Sequence, residues 1–228
     1  RDLGKSIEAE ISQRKAIELS PNFAEAHFNL GNILIDLDKL EEAELSFRKA
    51  IDINPNYSKA YSSLGNIFRD LGKLEKAEFS HRKAIELNPD FAEAYSNLGN
   101  VLKDLDKLEE AEFSHRKAIK IKPDLAEAHS NLGSILKDLG RLKEAEFSTR
   151  KAIELNPYYA EGHSNLGSIL KELGKLKEAE FSTRKAIELN PKYAPAYLNL
   201  GGILLGNRKL KEAELSTRKA IELKPDFD

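Results

Sequence analysis

The 228-residue chain carries 36 Lys and Arg against 38 Asp and Glu, a formal net charge of −2, and contains no cysteine, methionine or tryptophan. Without cysteine there is neither a disulfide framework nor a thiolate metal site, and the even charge balance lacks the basic stripe of a nucleic-acid binder. No apolar run approaches the roughly 18 residues of a membrane span and no signal-peptide pattern opens the chain, so a soluble, cytoplasmic protein is expected.

The predicted elements follow a strict period. Pro21, Pro55, Pro89, Pro123, Pro157, Pro191 and Pro225 stand 34 residues apart, and each closes a helix, because proline cannot continue one and biases the preceding residue toward extended geometry. Residues 1–23 match only the later part of a unit, a second helix alone. Complete units are expected at 24–57, 58–91, 92–125, 126–159, 160–193 and 194–227, with Asp228 opening a further one. A second break falls midway, at DLDK, DLGK, DLGR or ELGK. There Gly72, Gly140 and Gly174 suit a left-handed helix C-cap, and Asp38 and Asp106 are less comfortable occupants of the same place. Each unit is thus two helices of about 14 residues joined by short turns.

In the unit 92–125, Ala94, Tyr95, Leu98, Val101, Leu102 and Leu105 form an apolar stripe at helical spacing, and Leu108, Ala111, Ala118, Ile119 and Ile121 form another on the second helix. One hairpin cannot bury both stripes, so the units must stack into an all-α solenoid, a single continuous domain. Gly99 lies on the packed side, where a missing side chain lets two helix backbones approach.

The opposite face of that first helix collects Glu93, Ser96, Asn97, Asn100, Lys103 and Asp104. Its core string, AEAYSNLGN at 92, recurs at every unit as AEAHFNLGN, SKAYSSLGN, AEAHSNLGS, AEGHSNLGS and APAYLNLGG. Ser, Asn and Gly are poor helix formers, costing roughly 2 kcal/mol per unit relative to Ala, so something must require them. Short amide and hydroxyl side chains at a fixed rise offer donors and acceptors to an extended peptide backbone, which presents one of each per residue. By helix propensity, replacing these asparagines with Ala is expected to stabilise the fold.

Tyr95, Leu98, Gly99, Leu102, Ala111, Ala118 and Pro123 in a 34-residue unit resemble the tetratricopeptide repeat, over the entire chain. The resemblance implies a right-handed superhelix of antiparallel helix pairs acting as a protein-protein interaction scaffold, its inner face the ligand groove. The units are most similar to the repeat arm of O-linked N-acetylglucosamine transferases and to near-consensus bacterial arrays. In the former an asparagine ladder grips substrate peptides; it corresponds here to Asn29, Asn97, Asn131, Asn165 and Asn199, interrupted by Ser63. A second row, Asn32, Asn66, Asn100, Ser134 and Ser168, runs beside it. Lys103, Lys137 and Lys171 are expected along one edge, with Asp70, Asp104, Asp138 and Glu172 along the other. The groove ends are greasier, at Phe28 and Ile35 and at Leu198 and Leu205.

The family usually has a large aromatic in the middle of the second helix. This chain has Phe47, His81, His115, Thr149, Thr183 and Thr217 there, and carries its large apolar residues two positions earlier, as Leu45, Phe79, Phe113, Phe147, Phe181 and Leu215. Either the helix is rotated or an aromatic row is exposed on the outer face. The favoured expectation is that neighbouring Arg82- and Lys83-type stems shield the rings; exposed, Phe79, Phe113, Phe147 and Phe181 would drive lateral self-association. Uncapped ends offer an end-to-end route. The alternative function is accordingly a structural or consensus fragment without a ligand of its own, associating with itself. His27, His129 and His163 read as packing residues with a polar tip toward solvent. No nucleophile and base pair, phosphate loop or carboxylate dyad stands out, so no enzyme, no cofactor and no metal site is expected, and the partner is a protein or peptide.

Overall fold

A computed structural model describes residues 3–225; residues 1, 2 and 226–228, including Asp228 read above as opening a further unit, lie outside the described residues. Thirteen α-helices and no strand are found among the described residues, and they fall into two compact units, Arg1–Lys107 and Leu108–Asp228. The first holds α1 (Leu3–Leu19), α2 (Ala24–Asp36), α3 (Leu40–Ile53), α4 (Ser58–Asp70), α5 (Leu74–Leu87) and α6 (Ala92–Asp104). The second holds α7 (Leu108–Ile121), α8 (Ala126–Asp138), α9 (Leu142–Leu155), α10 (Ala160–Glu172), α11 (Leu176–Leu189), α12 (Ala194–Gly206) and α13 (Leu210–Leu223). Even-numbered helices are here called A helices and odd-numbered ones B helices. Within each unit an A helix packs on its own B helix and on the B helix before it, and α4 also packs on α6, α8 on α10 and α10 on α12.

The core repeats with the sequence. Leu132 and Leu136 of α8, Ala145 of α9 and Ile169 of α10 form one buried cluster, and Leu166 and Leu170 of α10, Ala179 of α11 and Ile203 of α12 form the next. Each cluster draws on three helices, so no hairpin is complete without its successor. Burying one such Leu contributes roughly 1.5–3 kcal/mol. In the first unit Leu30, Leu34, Phe47, Leu64, Ile67 and Phe68 merge into one larger cluster.

Two turns alternate. After each A helix the chain enters the left-handed region, at Gly72, Gly140 and Gly174 as expected, at Asp38 and Asp106, and also at Arg208, with φ of 59°. The N–H of the following residue then bonds back to a carbonyl of the helix, as Lys73 N to Phe68 O at 2.7 Å and Lys209 N to Leu204 O at 2.9 Å, which satisfies a carbonyl the helix end would orphan. After α3, α5, α9 and α11 the Asn-Pro turn is tied by its own asparagine, whose Oδ1 accepts the N–H two residues on at 3.1 Å in Asn54, Asn156 and Asn190 and 3.2 Å in Asn88.

The lysine or arginine that ends the first turn has a job the sequence did not reveal. Lys39, Lys107, Arg141, Lys175 and Lys209 each reach back to a glutamate on the preceding B helix, the buried Glu10 and the half-buried Glu78, Glu112, Glu146 and Glu180, at 2.7–2.9 Å. The Lys39 ammonium beside Glu10 and the Lys209 ammonium beside Glu180 hold both carboxyls below the usual range.

The second helix is not rotated. Phe47, His81, His115, Thr149 and Thr183 are fully buried, and the residues two positions earlier face outward. The glycines of the A helices face these buried side chains. A Cβ on Gly31 would stand 2.6 Å from the Phe47 ring and one on Gly65 2.7 Å from His81, so in the first unit the missing side chain admits a ring. In the second unit a Cβ on Gly133 would meet Thr149 Oγ1 and stand 3.1 Å from the Ala145 carbonyl, and Gly167 repeats this with Thr183 and Ala179. Close backbone approach therefore explains the glycine in only one of the two units.

Candidate functional site

The polar rows occupy the A helices, away from the B-helix interface. In the first unit Asn29, Asn32 and Asn66 are exposed, and Ser63, Asn97, Asn100 and Lys103 are half-buried. Asn131, Lys137, Asn165, Lys171 and Asn199 are half-buried in the second unit. The rows are thus reachable from solvent at every predicted position.

Ser96 departs from expectation. It was placed on the open face by helical projection, yet it is buried, as are Ser62, Ser130 and Ser164 at the same step. The reason is visible one repeat on: Asn165 Nδ2 donates to Ser130 Oγ at 3.0 Å and Asn199 Nδ2 donates to Ser164 Oγ at 2.9 Å. The serine sits in the seam between successive A helices, and the ladder asparagine of the next helix reaches into that seam. These bonds orient the carboxamides and leave each Oδ1 open; Asn165 keeps one N–H without a protein partner, whereas the second N–H of Asn199 leans on the Ser164 carbonyl at 3.4 Å. They also mean that part of the helix-propensity cost maintains the seam itself.

The charged edges are not two separate rails. Arg69 pairs with Asp104 of the next A helix at 2.6 Å, and Lys137 lies between Asp138 at 3.3 Å and Glu172 at 3.6 Å. One repeat further the series breaks, because Gly206 stands where Glu172 would recur. Lys171 has no carboxylate partner, and its ammonium lies over Gly202, 3.4 Å from where a Cβ would be. At the predicted greasy ends, Leu198 and Leu205 are exposed, whereas Phe28 is half-buried and its ring packs on Tyr57 at 5.0 Å and Phe47 at 5.6 Å between centroids.

Histidine tips go to the turns and not to solvent. The Nε2 atoms of His27, His129 and His163 donate to the carbonyls of Pro21, Pro123 and Pro157 at 2.9–3.0 Å, and Tyr197 OH does the same to Pro191 at 3.2 Å. His81 is buried with both ring nitrogens unpartnered; desolvation, with the nearby Arg69 charge, pushes its pKa down to about 4. Among the described residues no three His, Asp or Glu side chains come together as a metal site, and no helix is long and apolar enough to cross a membrane.

On the B-helix side the rings of Phe79, Phe113, Phe147 and Phe181 are 68%, 60%, 77% and 76% exposed. Lys117 covers Phe113, its ammonium 5.5 Å from the ring centroid. Phe79, Phe147 and Phe181 have no such cover, so the expected shielding by basic stems fails for these three.

Stacked helix pairs with polar A faces define a helical-repeat scaffold. Profiles described as tetratricopeptide repeat match residues 24–57, 92–125, 126–159 and 160–193, together more than half of the chain; a second so described matches 46–79 and 183–214, and one described as TPR repeat matches 65–106. The chain belongs to the tetratricopeptide repeat family, whose fold typically serves as a protein-protein interaction scaffold and is generally non-catalytic. Among solved structures it is similar to YrrB, described as a TPR protein with an unusual peptide-binding site: 29% identity, TM-score 0.57, covering 79% of this chain and 93% of that one. MamA is similar at 26% identity and TM-score 0.58, with 71% and 95% covered. The APC/C hetero-tetramer Cut9-Hcn1 matches at 16% identity and TM-score 0.88, a likeness of fold; it covers 98% of this chain, which spans 44% of that chain's length. No curated protein sequence matches the chain. These findings carry the family and not the narrower likeness to transferase arms.

Proposed function

We propose that the A-helix face of each unit binds an extended peptide segment by its backbone, through Asn131, Asn165 and Asn199 in the second unit and Asn29, Ser63 and Asn97 in the first, with the row beside them. The observation that carries this reading is the orientation of Asn165 and Asn199 by buried serines one repeat back, with the amide oxygen of each, and one N–H of Asn165, left for a ligand. Adjacent helices pack about 8–10 Å apart and an extended chain rises about 3.3 Å per residue, so each repeat spans about three peptide residues. Such a ligand is read by its main chain and needs little side-chain identity. Lys171, an A-helix cation without a carboxylate partner, adds a preference for a carboxylate in the bound segment. The likeness to a peptide-binding relative at 29% identity supports the reading.

The test is capture from a random peptide display library by the wild-type chain, by Asn131→Ala/Asn165→Ala/Asn199→Ala and by Lys171→Gln. Extended peptides enriched by wild type and lost by the triple variant are the expected result. Lys171→Gln breaks no protein contact, so it keeps the fold while losing acidic residues from the enriched set. Equal enrichment by all three proteins, or none by any, would sink the proposal.

A further inference from the structure

The B-helix side of the second unit carries an apolar groove twice. The first copy is floored by Leu132 and Leu136 of α8 and walled by Ile119 of α7 and Phe147 of α9, with a volume of about 600 Å³. The second, of about 680 Å³, is floored by Leu166 and Leu170 of α10 and walled by Ile153 of α9 and Phe181 of α11. The first unit repeats the arrangement at Leu64, Phe68 and Phe79 in a smaller groove of about 370 Å³. In every copy the outermost wall is the exposed ring.

We propose that the grooved face of residues 108–228 pairs with the same face of a second copy of this chain, independently of peptide binding on the A helices. The occupant such grooves need is an apolar knob delivered at the groove period, and the chain itself supplies one. Phe147 and Phe181 are 34 residues apart, as are the groove floors at Leu132 and Leu166, so rings and grooves advance by the same structural step. Two copies related by a twofold axis seat the second copy's Phe181 in the groove walled by Phe147, and its Phe147 in the groove walled by Phe181. The exchange is reciprocal, as an isologous interface requires.

Charge does not oppose the pairing. Arg116 reaches Glu144 at 3.5 Å and Arg150 reaches Glu178 at 3.0 Å, which links successive B helices. The second groove balances Arg150 and Lys177 with Glu154 and Glu178, and the twofold exchange sets it against the first groove, whose Lys120 and Lys143 are in excess, so no two like-charged edges meet. The net charge of −2 sets up little repulsion between copies.

Size argues for a weak dimer. A phenylalanine buries about 150–250 Å², and with three quarters of each ring open, four rings and their grooves remove on the order of 1,000 Å² from water. That stands at the low end of specific interfaces, so association is reversible and appears only at tens of micromolar and above, roughly.

Sedimentation velocity of the full chain between about 1 and 500 µM, beside Phe147→Ser/Phe181→Ser, is the test. Both rings are exposed, so the variant keeps its fold, checked by an unchanged thermal melt. Wild type is expected to shift from a monomer to a dimer sedimentation coefficient while the variant stays monomeric throughout. A wild type that remains monomeric would overturn the proposal. So would a wild type that remains monomeric yet binds an apolar dye that the variant does not, since the face then belongs to a different partner. A variant that dimerises like wild type would overturn it in favour of the exposed apolar residues of the end helices, Ile11 and Ile221.

Discussion

The two units solve one packing problem with different side chains. Between A and B helix, the first unit fills the space facing the glycine with a ring, Phe47 against Gly31 and His81 against Gly65. The second fills it with threonine, and there the Ala145 and Ala179 carbonyls come within 3.1 and 3.2 Å of a would-be Cβ on Gly133 and Gly167. Where the filling is polar it leaves atoms buried without a partner: two ring nitrogens on His81, and the hydroxyls of Thr149 and Thr183, whereas Phe47 leaves none. The same glycine thus answers to two causes, and each polar filling has its own characteristic weakness.

The largest expected effect is on pH dependence in the first unit. Above pH 6.5 His81 is neutral folded or unfolded. Between pH 6.5 and its folded pKa of about 4 the unfolded chain binds a proton that the folded chain excludes, so stability falls as pH falls, by about 3 kcal/mol in all. Below pH 4 the loss is complete and levels off. Urea midpoints of wild type and His81→Phe at pH 7 and pH 4.5 measure it. Phe47 fills the same slot, so the variant should fold and lose much of the slope; parallel slopes would refute the assignment.

In the second unit Thr149→Val and Thr183→Val each remove an unsatisfied buried hydroxyl, and each is expected to raise stability by about 1 kcal/mol. Thr217 is the control. Its hydroxyl donates to the Ala213 carbonyl at 3.0 Å, so Thr217→Val should bring no gain. Thermal melts of the three variants separate the cases.

The smallest effect contrasts two asparagines. Asn66 is exposed with no protein partner, and Asn66→Ala should stabilise by about 0.6 kcal/mol through helix propensity. Asn165→Ala gains the same amount and loses the bond to Ser130, worth about 1 kcal/mol, so it should be neutral or slightly destabilising. Denaturant midpoints that shift equally upward would show that the bond contributes nothing.

Much of the fold was legible in the sequence because its signals are local and repeated. Proline and glycine placed the turns, and the Leu98, Val101 and Leu102 type stripe identified the buried face of each A helix. What could not be read depends on contacts 28 to 35 residues apart. Helical projection puts Ser96 and its equivalents on the open face because projection sees one helix, whereas the burial of Ser130 and Ser164 comes from the seam with the next A helix. Arg208 adopts φ of 59° at the step that Gly or Asp occupies in the other repeats, and the turn still closes by the Lys209 N–H. The tethered glutamates of the B helices carry no signal of their own in the sequence, because the tether to the following Lys or Arg is a contact between repeats. At the candidate site, residue identities were readable and their pairing was not: the Lys137 to Glu172 bridge and its absence at Lys171 follow from which acid recurs one repeat later.

The most direct test of peptide binding on the A-helix face is a pair of nitrogen-proton correlation spectra of the chain, free and with a display-selected peptide. Shifts of the Asn165 and Asn199 side-chain amides, with the Phe147 and Phe181 backbone amides unmoved, are the expected result. Shifts confined to α9 and α11 around the two phenylalanines, with both asparagine amides unchanged, would contradict it and move the ligand to the opposite face.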